Sequence, residues 1–226
     1  AVAHGHAAAT SIDRLLHVVA DFMRYNQRKQ FHWFGIENYG DIRGDFRGGG
    51  SESHDWRGLG RYGWSGNSGE PSNQLWTQFL REPSEDVFLD AEALAKHTLD
   101  VQMVHYGDAT RIDPTPFNGR NREFAVGSLH RHGRQAFSGY AGMPDYSHVA
   151  GVETYYYLTG DERARETLYE AAQFITRYGE TNPEYTALNT GLDVLDRAAA
   201  VFHDQPAVAS RYEDRVDYLM SYLSSG

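Results

Sequence analysis

The run Tyr155-Tyr156-Tyr157-Leu158-Thr159-Gly160-Asp161 constrains the fold of this chain more than any other. A helix that reaches Thr159 finds in Gly160 a residue able to take the left-handed conformation that closes helices. Asp161 can then accept the first amide protons of the next helix. Two helices joined by so short a turn must run antiparallel, so a helical hairpin is the building unit. Upstream, His130-Arg131-His132-Gly133-Arg134, Tyr140 and Asp145-Tyr146-Ser147-His148 form a glycine-punctuated loop that runs into the first helix of this hairpin, with Asp145 or Ser147 as its expected cap. Three histidines, two arginines and two tyrosines thus gather at a helix N-terminus, whose unpaired amides attract negative charge. The expected guest is an anionic substrate.

Helical spacing continues on both sides. Ile12, Leu15, Leu16, Val19, Phe22 and Met23 recur at three- and four-residue intervals, predicting an amphipathic helix that starts at Thr10 or Ser11 and frays over 28–30. Ser72 is expected to start a short helix through Leu75, Trp76 and Leu80. Pro83-Ser84-Glu85-Asp86 opens another, whose face of Val87, Ala91, Leu94, Ala95, Thr98 and Val101 runs to about His105, with Gly107 ending it. Three later helices are lined by Ala164, Leu168, Ala171 and Ile175, by Leu192, Leu195, Ala199 and Phe202, and by Tyr212, Val216, Leu219, Met220 and Leu223. Gly179, Pro183 and Pro206 separate them. The sum is an all-α fold of about seven helices in short antiparallel pairs, one domain over 1–226, with two long ordered loops.

The loops carry the chemistry. Residues 35–69 hold eleven of the 23 glycines, too many for a helix, and set Trp56, Tyr62 and Trp64 among Arg43, Arg47, Arg57 and Arg61. Flat aromatic faces beside polar groups such as Asn38, Asp41 and Asn67 suit the stacking of sugar rings; the same aromatics could equally pin a long loop to the body. In the second loop, 107–146, five arginines lie between Arg111 and Arg134 against Asp113 and Glu123, with His130 and His132 beside them. This is a basic patch on a chain of formal net charge −10, which attracts anions locally while arguing against nucleic-acid binding. His97 faces the loop-bearing end of its helix and is a further candidate, although a lone helical histidine is more commonly a hydrogen-bonded structural residue.

Absences narrow the field. With no cysteine there is no disulfide, thiolate zinc site or cysteine nucleophile. No apolar run approaches the roughly 20 residues that cross a bilayer, so no membrane partner is expected. No phosphate-cradling glycine motif and no Gly-x-Ser-x-Gly elbow is found. His130 and His132, with His148 or Asp145, are the candidate set for a divalent metal, and His4-x-His6 is a second pair. Two histidines one residue apart have little specificity, and the balance of residues is against a bound ion.

Asn38-Tyr39-Gly40-Asp41, Gly63-Trp64-Ser65-Gly66-Asn67, Ala95-Lys96-His97-Thr98-Leu99-Asp100, His130-Arg131-His132 and Ser147-His148, followed by Tyr156-Tyr157-Leu158-Thr159-Gly160-Asp161, together resemble the rhamnogalacturonan exolyase (YetA-like) group of polysaccharide lyases. The likeness spans about residues 30–175. It implies an α/α toroid, a ring of antiparallel helix pairs whose loops line a saccharide cleft. Members are much longer, so the likeness also implies an incomplete toroid, to be completed by the remaining chain or another subunit.

The implied function is β-elimination on a uronate-containing polysaccharide or oligosaccharide by a secreted, extracellular or periplasmic protein. Such chemistry needs charge relief on the carboxylate, a base and an acid. Arg134 or Asn67 are the candidates for the first and His132 or His148 for the base. Tyr140 or Tyr146 would serve as acid, or as base if nearby arginines lowered its pKa. His130, Trp56, Trp64, Asn38, Asp41 and His97 complete the expected substrate-binding set. Two alternatives stand beside it: a glycoside hydrolase using two of Glu37, Asp41, Asp45, Glu70 and Asp145, and a non-catalytic carbohydrate-binding module.

Overall fold

The computed structural model describes residues 11–27, 42–43, 64–65, 70–106, 126–129 and 147–224. Among these are eight α-helices: α1 (Ser11–Asp21), α2 (Pro71–Arg81), α3 (Glu85–His97), α4 (Ala150–Thr159), α5 (Glu162–Thr181), α6 (Pro183–Leu188), α7 (Gly191–Val201) and α8 (Pro206–Ser224). Wider π-type turns extend α1 over Phe22–Gln27 and α3 over Thr98–Gln102. Strands β1 (Ile42–Arg43) and β2 (Trp64–Ser65) pair antiparallel, with Arg43 opposite Trp64.

Three hairpins, α2/α3, α4/α5 and α7/α8, follow one another, with α2 packed on α4 and α5 on α7. The chain is all-α in class, and its helix pairs are those of an α/α toroid. The α4/α5 turn forms as its sequence predicts. Gly160 takes φ 70° and its amide bonds Tyr156 O at 2.7 Å, while Asp161 accepts from the Arg163 amide at 3.0 Å. Burial, and then the bond that its hydroxyl donates to Asp161 at 3.0 Å, raise the pKa of Tyr155 far above the usual phenol value and keep it protonated. Ser84 caps α3 by accepting from the Val87 amide at 3.3 Å.

The core is aromatic where three helices meet. Trp76 of α2 is fully buried, edge-on to Phe79 and Phe88 and stacked on Tyr155 of α4 at 6.2 Å. Such pairs add about 0.5–1.5 kcal/mol each beyond their burial. α2 and α4 approach closely because the first turn of α4 carries a glycine: a Cβ on Gly151 would lie 2.6 Å from the Ser72 side chain and 2.9 Å from the Asn73 amide nitrogen.

Several expectations need correction. α2 starts at Pro71, and Ser72 does not cap it but donates to Ala91 O across the hairpin at 3.3 Å. α3 does not reach His105. Its ladder loosens at Thr98, whose hydroxyl bonds Leu94 O at 3.1 Å, and the Met103 amide then reaches back to Thr98 O before Met103 turns extended and bridges Leu129. α5 runs past Gly179, which lets Leu219 of α8 come close. α1 docks by its polar stripe. Asp13 pairs with Arg81, Arg24 with Asp86 and Asp90 at 3.0 Å each, and Ala20 is buried between them. Of the apolar stripe expected to face inward, Ile12, Leu15 and Phe22 are exposed by 67%, 61% and 44%, with Val18 beside them exposed by 64%; Leu16 is half-buried, and the side chains of Val19 and Met23 lie outside the described residues.

His105 joins the end of the α3 extension to α5. Its ring bonds Glu170 at 2.6 Å and the Leu99 carbonyl, and the Glu170 bond raises its pKa above 6.5 despite the opposing effect of burial. A raised folded pKa stabilises fully below the unfolded value and ceases to do so as pH climbs through the folded value. The stability difference between wild type and His105→Gln in urea unfolding should therefore be largest below pH 6.5 and shrink above it. Gly151→Ala should cost about 1–3 kcal/mol in the same measurement, because the new methyl must push α4 away from α2.

Candidate functional site

Both long loops re-enter the helical body at one place. The first ends at Glu70, immediately before α2; the second ends at Ser147 and His148, two residues before α4. α4 has no side-chain cap of its own, since its N-cap residue is the apolar Val149. Neither Asp145 nor Ser147 does what was expected of it. Asp145 lies outside the described residues, and the Ser147 hydroxyl is buried with no hydrogen-bond partner among the described residues. Instead Glu70 Oε1 accepts from the Ala150 amide at 3.1 Å, across 80 residues of chain. A carboxylate suits that position, where the helix dipole is positive. The acceptor that the α4 N-terminus was expected to find in a substrate is thus supplied by the protein itself.

Glu70 is held on every side. Its backbone is left-handed at φ 50°, ψ 58°, unfavourable for a side chain with a Cβ and for a residue that precedes proline. Asn73 Nδ2 approaches Oε2 at 3.5 Å. His148 Nδ1 faces Oε1 at 3.9 Å, an ion-pair distance rather than a close hydrogen bond. Both side chains are partly open, His148 by 26% and Glu70 by 22%. A histidine can take up or deliver a proton, and this one stands beside a carboxylate at the solvent edge.

The other expected residues divide clearly. His97 ends α3 inside the core, 1% exposed, so it offers no surface to a glycan. Trp64 is placed by its backbone, in β2 opposite Arg43. Asn38, Asp41, Trp56, Asn67, His130, His132, Arg134, Tyr140 and Tyr146 lie outside the described residues. Of the proposed metal set only His148 is described, and among the described residues no group of three His, Asp or Glu side chains could hold an ion. No described helix is long and apolar enough to cross a membrane. Glu70 was visible in the sequence only as one carboxylate among several; the usable signal was its place before Pro71, which marks it as an N-cap residue.

A family model described as the PcRGLX-like protein C-terminal alpha/alpha toroid domain matches residues 2–189. The chain belongs to that family. Among its relatives, the uncharacterized protein YetA of Bacillus subtilis (strain 168) is 30% identical over 166 residues, which cover 73% of this chain and 17% of that protein. The match thus spans about a sixth of the relative's length. Membership in the PcRGLX-like family agrees with the resemblance read from the motifs, and this rhamnogalacturonan lyase-like toroid domain is consistent with a carbohydrate-active role.

Glu70→Ala should lower stability by about 1–3 kcal/mol, the cost of leaving the Ala150 amide without its charged acceptor. Glu70→Gly loses the same bond but suits the left-handed backbone, so it should be about 1 kcal/mol more stable than Glu70→Ala. Denaturant unfolding of the two variants checks both the bond and the strain.

Proposed function

We propose that the chain is the catalytic part of a polysaccharide lyase that cleaves a uronate-containing glycan by β-elimination. The reading is carried by the Glu70–His148 pair, partly open and set where both loops join the helices. Family membership supports it. His148 removes the proton on the carbon beside the uronate carboxyl group. That electron pair forms a carbon–carbon double bond as the bond from the neighbouring carbon to the departing sugar oxygen breaks. The oxygen takes its proton from Tyr140 or Tyr146. Arg134 or Asn67 offsets the carboxylate charge that would otherwise oppose proton removal. Completion of the ring by further chain or another subunit belongs to the same reading, supported by the exposed apolar stripe of α1.

The hydrolase alternative needs two carboxylates across the scissile bond. Of its candidates only Glu70 is described, and its carboxylate is engaged by the Ala150 amide, which favours the lyase.

Incubation with a panel of uronate polysaccharides should raise the ultraviolet absorbance of a conjugated unsaturated uronate. His148→Ala should lower that rate by about 10²–10⁴-fold, with the unfolding midpoint retained. New reducing ends without absorbance would replace the lyase with a hydrolase, and normal turnover by His148→Ala would remove the histidine from the mechanism.

A further inference from the structure

We infer that α1 is an interface between two copies of this chain: its exposed stripe of Ile12, Leu15, Val18 and Phe22 pairs antiparallel with the same stripe of a second copy, across a two-fold axis near Val18. The inference deepens, and rests on, one part of the reading above, that another subunit covers this stripe. It needs nothing of the lyase chemistry.

α1 is bound to the body by the side that a surface helix usually gives to water. Asp13 pairs with Arg81, His17 with Glu82 at 3.3 Å, and Arg24 with Asp86 and Asp90. These residues and the buried Ala20 recur at four- and three-residue intervals, so they share one face. The opposite face carries the open apolar side chains, and a contiguous apolar stripe of this kind marks a surface that another protein surface covers.

Two features choose the occupant. The first is the spacing of the stripe, which is nearly even about its own middle. A copy running the other way sets Leu15 beside the second copy's Phe22 and brings the two Val18 side chains together at the axis, the self-matching contact that a two-fold requires. The second is charge. Arg14 and Asp21 stand about two turns apart on one flank of the stripe, both exposed, and among the described residues neither has an ion-pair partner. The axis keeps that flank on the same side in both copies while it reverses their direction. At about 1.5 Å per residue, Arg14 lies about 6 Å to one side of Val18 and Asp21 about 4.5 Å to the other, so each Arg14 comes level with the other copy's Asp21. The contact thus carries two ion pairs, one at each end. A parallel pair would put the two flanks on opposite sides and leave both charges unmatched. The surface that fits α1 in apolar spacing and in charge is α1 itself.

Sedimentation velocity of the full 226-residue chain, from micromolar to submillimolar concentration, should show one chain passing to a species of twice the mass. Val18→Glu sets two like charges against each other at the axis and should weaken association by about 100-fold or more. Because Val18 is open to water in the single chain, the unfolding midpoint of dilute protein should not move. Arg14→Asp alone should weaken association by about 10-fold, and Arg14→Asp with Asp21→Arg, which reverses each pair, should restore it. Direction is read by disulfide formation, since the chain has no cysteine of its own. Val18→Cys should cross-link two copies under mild oxidation, whereas Ser11→Cys, about 10 Å from the axis, should not. A single chain at every concentration, a dimer indifferent to Val18→Glu, a double charge variant that fails to recover, or ready cross-linking through Ser11→Cys each overturns the inference. A single chain that still raises uronate absorbance sinks the pairing and leaves the lyase reading standing. A dimer that behaves as expected but is inert toward every uronate does the reverse.

Discussion

The amide of Ala150 needs an acceptor, and the first turn of α4 has none to offer, because Val149 stands at the cap. Buried amides at helix starts are costly when unpaired, so the arrangement holds only if another segment brings an oxygen to that spot. Glu70 does so, which fixes the head of α2 against the head of α4. The remainder of that interface is consistent with the constraint. Gly151 lets the backbones close in, and Trp76 stacks on Tyr155 one turn further along. The ends of both long loops are thereby brought together. The candidate site lies where that helix end is satisfied.

Local chemistry was legible in the sequence, and distant chemistry was not. The α4/α5 junction could be read from Gly160 and Asp161 because both act on neighbours within four residues. Ser84 was readable for the same reason. α1 starts where its sequence predicts, but part of its expected inner stripe, Ile12, Leu15 and Phe22, is exposed. Its apolar periodicity is real, yet Asp13, Ala20 and Arg24 make the contacts with the body, through partners 68, 62 and 66 residues on in the case of the ion pairs to Arg81, Asp86 and Asp90. Periodicity says that a helix has two faces; which face turns inward is decided by what it meets.

The site divides along the same line. His148 was singled out from its residue type and its place ahead of a helix, both local facts, and it comes to lie 3.9 Å from Glu70. Glu70 was weighed only as a hydrolase carboxylate, because nothing near it in the chain reveals that its partners are Ala150 and His148. His97 looked accessible from its position near the loop-bearing end of α3, but packing encloses it, and helical spacing alone does not tell a core histidine from one at a cleft. The family match agrees with the toroid that the motif resemblance implied, is consistent with a carbohydrate-active role, and leaves the chemistry to the side chains.

The identity of residue 70 bears on the chemistry proposed for the site. A left-handed residue with a side chain costs about 1–2 kcal/mol relative to glycine. The charge-assisted bond to Ala150 returns about 1.5–3 kcal/mol. The two nearly offset, so the stability of the α2–α4 contact gives little reason to prefer a strained glutamate here over a relaxed glycine with a conventional cap at Ser147. Strain that persists without a net gain in stability points to a use for the group it holds. What the glutamate adds beyond the cap is a negative charge fixed beside the ring of His148, in the partly open edge where the two loops end.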